Sequence, residues 1–153
     1  MLNDLLRIKK IREKKAAEEV RKCRYRVETA AQELEKKKQE LVDYKKWRIE
    51  EEQRRYDAIM NTQVKQFDLD ILKQTVAKLR EKDLVMQDDI KKAEDHLEKT
   101  KEQLEEARKA HVLATRAVQK FEEFIREQDK ELAREQERKE ELELEEFTPR
   151  KQY

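Results

Sequence analysis

Histidine and cysteine are the side chains that most often bind metals or act as nucleophiles, and this chain holds three of them. Neither His96 nor His111 has a second histidine, a cysteine or a spaced carboxylate pair that would complete a metal-binding motif. Cys23 can form no internal disulfide and is expected to be a small, inert apolar residue. We therefore predict no metal site, no cofactor and no catalytic residue at these positions.

Carboxylates are abundant, since 49% of the residues are charged, but none is expected in a sheltered position. Acid–base catalysis at neutral pH needs a carboxyl pKa raised by burial, and a pair of helices offers almost no burial. The sequence also contains no nucleophile motif and no phosphate-binding loop. It therefore predicts a protein that binds partners and is not an enzyme.

A basic stretch at residues 7–15 holds six basic residues and one acidic residue, which raises the possibility of nucleic acid or anionic lipid as a partner. The stretch is interleaved with Ile8 and Ile11, and the net charge of the chain is only +1. Binders of nucleic acid usually have a strongly basic domain. We expect no nucleic acid partner, and we keep a nucleic-acid-binding coiled coil that uses residues 7–26 as the second and less favoured alternative.

The composition excludes most fold classes. The chain of 153 residues has no glycine and a single proline, Pro149, so the turns of an α/β or all-β domain are not provided for. Strong helix formers dominate, and the mean hydropathy is −1.25. No run of about 18 apolar residues and no secretory signal is present, so we expect no membrane insertion and a cytoplasmic location.

Apolar residues recur in two heptad arrays, a pattern typical of coiled coils. The longer array alternates spacings of four and three and comprises Leu72, Val76, Leu79, Asp83, Met86, Ile90, Ala93, Leu97, Thr100, Leu104, Ala107, His111, Ala114, Val118, Phe121, Ile125, Gln128 and Leu132. The shorter comprises Ala16, Val20, Cys23, Val27, Ala30, Leu34, Lys37, Leu41 and Tyr44. The polar members of the seam, such as His111, are expected to set register. The shifted apolar face of Leu5, Ile8 and Ile11 suggests a stutter before Ala16, and the period blurs after Tyr44.

The two arrays predict an all-α fold, a long two-helix antiparallel coiled-coil hairpin that forms a single domain. We expect arm one at about 2–60, a turn region at about 60–70, arm two at about 70–146 and a flexible tail at 147–153. Asp68 or Asp70 is expected to cap the second helix. Residues 1–26 carry a net charge of +6 and residues 122–146 carry −7, which favours folding back as a monomer over a parallel dimer. A scaffold that dimerises in parallel remains the first alternative.

Apolar residues outside the seam cluster at both ends of the predicted hairpin. Those around the turn are expected to pack against each other and close the tip: Trp47, Ile49, Tyr56, Ile59, Met60, Val64, Phe67, Leu69 and Ile71. Near the termini, Leu2, Leu5, Leu6, Ile8, Ile11, Phe124 and Leu144 exceed what one seam can bury. Exposed apolar patches often indicate partner sites, so we expect two such ends on a solvated shaft.

Three segments resemble the YscO family, the stalk proteins of bacterial type III secretion. They are MLNDLLRIKKIREKKAAE at residues 1–18, DYKKWRIEEEQRRY at residues 43–56 and ELEEF at residues 143–147. The resemblance covers essentially the whole chain, and the region around Trp47 and the matching length are its most specific features.

The resemblance implies a hairpin similar to the flagellar export protein FliJ and to the coiled coil of the rotary ATPase γ subunit. It implies that the paired termini sit in the pore of the hexameric secretion ATPase and that the other end approaches the export gate protein. Leu2, Leu5, Ile8 and Arg12 match the family's N-terminal pattern and would face the ATPase. Trp47, Tyr56 and Phe67 would lie toward the tip, where contacts with the gate or with secretion chaperones are implied.

Overall fold

The computed structural model describes residues 1–60 and 66–147, and these residues form two helices. Helix α1 spans Leu2–Met60 and helix α2 spans Gln66–Phe147. The described residues contain no strand, and the two long helices pack against each other as an all-α hairpin. The predicted fold class is confirmed. The chain divides into a terminal unit, Met1–Val20 with Ala107–Tyr153, and a tip unit, Arg21–Glu106.

In the terminal unit, the seam between the helices follows one uninterrupted heptad register. Val20, Ala107 and Val118 are buried. On α1 the register continues back from Val20 through four half-buried positions, namely Ala16, Glu13, Lys9 and Leu6. The predicted stutter is therefore wrong, because charged side chains occupy seam positions while Leu5, Ile8 and Ile11 lie outside the seam and are exposed.

The seam of the terminal unit ends at Ile125 on α2. Every described residue from Arg126 to Phe147 is exposed, although the helix continues through all of them. The prediction that Gln128 and Leu132 belong to the seam is wrong, because no helix in the described chain covers them. The predicted pairing of the charged ends is present at the start of the acidic segment, where Lys10 Nζ lies 3.8 Å from Glu122 Oε1.

In the tip unit, small and branched side chains form the core of the seam. The buried apolar residues are Cys23, Ala30, Leu34, Ala93 and Leu104, and the buried polar residues are Asp83 and Thr100. Every predicted seam position from Leu72 to Leu104 is buried or half-buried. Thr100 is tolerated there because its hydroxyl donates a hydrogen bond of 2.7 Å to the carbonyl of Leu97 on its own helix.

The ends of the helices differ from expectation at one point. Because α2 begins at Gln66, Asp68 lies inside its first turn, and neither Asp68 nor Asp70 caps the helix. The carboxylate of Asp68 still stabilises the helix through the positive end of the macrodipole. The expected turn region includes residues 61–65 and the expected tail includes residues 148–153, and these lie outside the described residues.

Candidate partner-binding surfaces

The first turns of α1 carry an apolar strip that the seam leaves uncovered. Leu5 and Ile8 are 48% and 45% exposed, and Leu2 and Arg12 are exposed beside them. The spacing of three residues from Leu2 to Leu5 to Ile8 keeps these side chains on adjoining turns of one helix. The structure therefore brings together the four residues that the sequence assigned to one end of the hairpin. Whether they contact an ATPase stays a prediction.

An aromatic pair on α2 adds to the terminal unit. The ring centroids of Phe121 and Phe124 lie 6.0 Å apart, and Lys9 Nζ lies 5.5 Å from the Phe121 centroid. A lysine at a seam position is tolerated because its stem packs in the interface while its ammonium group lies over the ring. Sequence reasoning missed this contact, since Lys9 breaks the apolar pattern and only its spacing from Ala16 could have revealed it.

The three aromatic residues predicted for the tip are all exposed, but they do not form one cluster. Trp47 and Tyr44 form a tilted ring contact, with centroids 5.8 Å apart. No ring contact joins Trp47, Tyr56 and Phe67 to one another within residues 1–60 and 66–147. Phe67 is 70% exposed. Most of the apolar residues that were predicted to pack together around the turn stay largely exposed, namely Ile49, Tyr56, Met60, Phe67, Leu69 and Ile71. Val64 lies outside the described residues.

A polar cluster occupies the seam of the tip unit just where the apolar period blurs. Arg48 Nε lies 3.3 Å from Asp83 Oδ2 across the interface, and Arg48 Nη1 donates a 3.0 Å hydrogen bond to Glu52 Oε1. Glu52 Oε1 also accepts from Arg80 Nε at 3.4 Å. Asp83 Oδ1 accepts a 2.8 Å hydrogen bond from the amide of Gln87. The seam therefore continues past Tyr44 with charged residues.

Tyr44 lies next to this cluster, one helical turn before Arg48 on α1. Its hydroxyl donates a 2.7 Å hydrogen bond to the carbonyl of Leu79, and Lys82 Nζ lies 5.0 Å from its ring centroid. Burial raises the pKa of Tyr44 above 10.0; the charge of Arg48 opposes this shift, and the carboxylates of Asp83 and Glu52 add to it. Tyr44 is therefore held in its neutral, hydrogen-bond-donating form.

Arg48 is only partly satisfied. Its Nε is buried and lies close to Asp83, yet it has no acceptor in hydrogen-bond geometry among the described residues. An unsatisfied buried donor costs about 1–3 kcal/mol. The cluster therefore specifies which residues face each other more than it stabilises the fold.

Further toward the tip, the charges of α1 pair along α1 itself. Glu51 accepts hydrogen bonds from Arg54 at 2.6 Å and from Arg55 at 3.0 Å. The hydrogen bond from Arg54 is the main cause of a lowered pKa at Glu51, with a further contribution from Arg55. Glu51 is half-buried while Arg54 and Arg55 are exposed, and a lowered carboxyl pKa is the opposite of what acid–base catalysis at neutral pH requires.

The described residues contain no group of three or more histidine, cysteine or acidic side chains that could hold a metal ion. No stretch of the described helices is both long enough and apolar enough to cross a membrane. The described residues form a hairpin that leaves large apolar side chains such as Leu5, Ile8 and Phe67 exposed.

Comparison with known proteins finds relatives that match nearly the whole of this helical hairpin. A family model described as "Type III secretion protein YscO" matches residues 2–150. The chain is 31% identical over 129 residues to the Yop proteins translocation protein O of Yersinia pseudotuberculosis. The alignment covers 84% of each of the two chains. A 2.8 Å crystal structure of type III secretion protein YscO from Vibrio parahaemolyticus superposes with a TM-score of 0.90 at 34% identity, covering 97% of this chain and 93% of that one.

The chain is thus an all-helical component of bacterial type III secretion. It belongs to the YscO family.

Proposed function

We propose that this chain is the central stalk and adaptor of a type III secretion system. In this role it binds the hexameric secretion ATPase, couples it to the export gate protein and binds secretion chaperones. Membership of the YscO family supports the role in secretion. The observation that carries the finer assignment is the uncovered apolar strip of Leu2, Leu5 and Ile8 with Arg12 beside it.

The strip suits the ATPase end for a physical reason. A hairpin held in the pore of a ring needs its contacts on the inserted end, and those contacts must be available while the two helices remain paired. Leu5 and Ile8 meet this condition because the seam uses Leu6 and Lys9 instead. Side chains that become fully buried near the centre of an interface contribute most of its binding energy, and Arg12 adds a charge that orients the partner.

The tip would then carry the second set of contacts. Trp47, Tyr56 and Phe67 are exposed there, and large aromatic side chains are enriched where partners bind. We assign them to the export gate protein or to chaperones. The chain would act as a monomer at the cytoplasmic face of the secretion apparatus, without catalysis or a cofactor of its own.

The test is ATPase turnover measured against stalk concentration. Leu5→Ala or Ile8→Ala should raise the stalk concentration that gives half-maximal stimulation by about 5- to 30-fold, since an interface anchor is worth about 1–2 kcal/mol. Val42→Ala is a matched control, because Val42 is also an exposed apolar residue of α1 but lies outside the strip. Circular dichroism should show that helicity and melting are unchanged.

Normal stimulation by both strip variants would show that the strip does not bind the ATPase. If the Trp47→Ala or Phe67→Ala variants lose stimulation instead, the two ends of the hairpin have been assigned the wrong way round.

A further inference from the structure

We define the tip segment as residues 49–60 of α1 and 66–82 of α2. Along its seam, the side chains of the two helices differ in polarity. On α2 the heptad positions that lead up to Asp83 are all apolar: Leu69, Leu72, Val76 and Leu79. On α1 the heptad positions that follow Tyr44 are Arg48, Glu51, Arg55 and Ala58. The residues that are half-buried there are Arg48, Glu51, Glu52 and Ile59, and Ile59 is the one apolar side chain among these four. An apolar stripe therefore faces a largely charged one.

The packing of the tip segment reflects this mismatch. None of its described residues is buried, whereas Asp83, at the next seam position on α2, is buried. Leu72, Val76 and Leu79 are only half-buried, and Leu69 is 37% exposed. Because seam positions of a coiled coil are stabilised by apolar side chains on both helices, α2 lacks a matching partner here.

Two open grooves border the same stripe. One has a volume of about 310 Å³ and includes Ile59 and Ile71 in its lining; the other has a volume of about 400 Å³ and includes Ile49 and Tyr56. Leu72 lines both grooves. The side chains of a better-matched helix would find unfilled space on either side of Leu72.

The charges that flank the stripe are mostly basic from Lys73 onward, whereas Asp68 and Asp70 flank Leu69. Lys73 and Arg80 directly follow the seam residues Leu72 and Leu79, and Lys82 directly precedes Asp83. Arg80 meets a carboxylate of α1, with Nε 3.4 Å from Glu52 Oε1. Lys73 forms no ion pair within the described parts of the chain. Flanking positions select the partner of a coiled coil by charge, so a partner with acidic flanks is favoured.

The tip part of α1 can yield to such a partner at small cost. Glu51 and Arg55 pair on α1 itself, with Arg55 Nε 3.0 Å from Glu51 Oε1, whereas the contact of Glu52 with Arg80 of α2 would be exchanged for one with the partner. Its short-range ion pairs would therefore survive separation from α2. Directly below the tip segment, the contact between Arg48 and Asp83 keeps the rest of the tip unit in register.

We propose that the tip segment of α2 binds an acidic amphipathic helix of a partner protein, which displaces residues 49–60 of α1. The apolar face of that helix packs on Leu69, Leu72, Val76 and Leu79, and its carboxylates meet Lys73 and Arg80. The inference rests on the proposed role of the tip in partner binding, and it names the chemistry of that partner.

The experiment uses the full chain and a labelled synthetic helix of about three heptads, with leucine at the seam positions and glutamate at the flanking positions. A second peptide carries lysine at the same flanking positions. Fluorescence anisotropy should show saturable binding of the glutamate peptide and binding at least about tenfold weaker for the lysine peptide, because the charge change replaces several attractive flank contacts by repulsive ones.

Two double variants test whether the peptide displaces residues 49–60 of α1 or binds to the surface of the intact hairpin. The double variant Glu51→Leu/Arg55→Leu gives α1 an apolar seam, so it should melt at a higher temperature and bind the glutamate peptide at least about tenfold more weakly. Lys73→Glu/Arg80→Glu should reverse the preference between the two peptides. Val42→Ala, an exposed position outside the tip segment, should leave binding unchanged.

The proposal is overturned if the glutamate peptide fails to bind, if both peptides bind equally, or if the double leucine variant binds as tightly as the unmodified chain. ATPase stimulation is measured separately through Leu5 and Ile8. Loss of peptide binding with intact stimulation therefore rejects this inference alone, whereas the opposite result rejects the ATPase assignment alone.

Discussion

Arg48 of α1 and Asp83 of α2 form an ion pair inside the seam of the tip unit, with Nε 3.3 Å from Oδ2. Their side chains are only 17% and 8% exposed. The two charges stand at positions that apolar residues usually occupy in a coiled coil. Removing charges from water is costly, so such a pair is best explained by the register that it imposes.

Removal of one partner of this pair should be destabilising. Asp83→Ala leaves the buried Nε of Arg48 without a nearby carboxylate while Nη1 keeps its hydrogen bond to Glu52, and we expect the free energy of unfolding to fall by about 1–3 kcal/mol. The double replacement Arg48→Leu/Asp83→Leu should restore the stability or exceed it, because two apolar side chains need no compensation. Urea denaturation followed by circular dichroism measures both. A single variant that loses less than about 0.5 kcal/mol would contradict a buried, paired role.

His111 is a half-buried polar residue in the seam of the terminal unit. Replacement by leucine should raise the melting temperature or leave it unchanged, since leucine packs well at seam positions and a poorly partnered polar group costs energy. His96→Leu, at a position outside the seam, is the control for a general effect of added hydrophobicity. A clear loss of stability in His111→Leu would show that the imidazole makes a structural hydrogen bond.

Tyr44 predicts an alkaline limit to stability. Its raised pKa means that folding favours the neutral phenol, so the stability it contributes is fully present below pH 10.0 and is lost as the pH rises through the higher folded-state pKa. Ionisation would also remove the hydrogen bond to the carbonyl of Leu79. Tyr44→Phe should therefore lose less stability than the unmodified chain between about pH 9 and pH 11.

The control for this prediction is Tyr25→Phe, because Tyr25 is 71% exposed. Denaturation curves at several pH values, with absorbance at 295 nm to follow phenol ionisation, provide the measurement. Identical pH profiles for Tyr44→Phe and the unmodified chain would show that Tyr44 does not limit alkaline stability.

The isolated protein should be a monomer, because the seam residues of α1 and those of α2 up to Ile125 already face each other within the same chain. Light scattering should give a mass near 18.7 kDa at all accessible concentrations. A dimer mass together with a maximum dimension of roughly 200 Å, the length expected of one unbroken helix at 1.5 Å per residue, would contradict the hairpin in solution.

The apolar period determined most of the seam without any tertiary information. The heptad array from Leu72 to Ile125 predicted the buried face of α2, because a coiled coil repeats the same local environment every seven residues. The same reasoning failed on α1 wherever the seam is charged. Lys9, Glu13 and Arg48 hold seam positions that hydrophobicity alone assigns to the surface.

The candidate partner-binding surface of the terminal unit could likewise be predicted from the sequence only in part. Leu5 and Ile8 could be recognised from sequence as residues without a place in the seam, since their spacing conflicts with that of Ala16 and Val20. The end of the seam at Ile125 could not be recognised, because Leu132 continues the heptad pattern and only the absence of a covering helix exposes it.

The sequence by itself therefore determined the all-helical class, the two heptad arrays and the surplus apolar residues at each end, since these depend on composition and on local periodicity. Only the tertiary structure decided which residues of α1 face which residues of α2. That choice depends on contacts such as the one between Arg48 and Asp83, which join residues far apart in the chain, and no local pattern encodes their geometry. The same long-range pairing decided that the apolar stripe from Leu69 to Leu79 meets a charged face, which leaves it open to a better-matched helix.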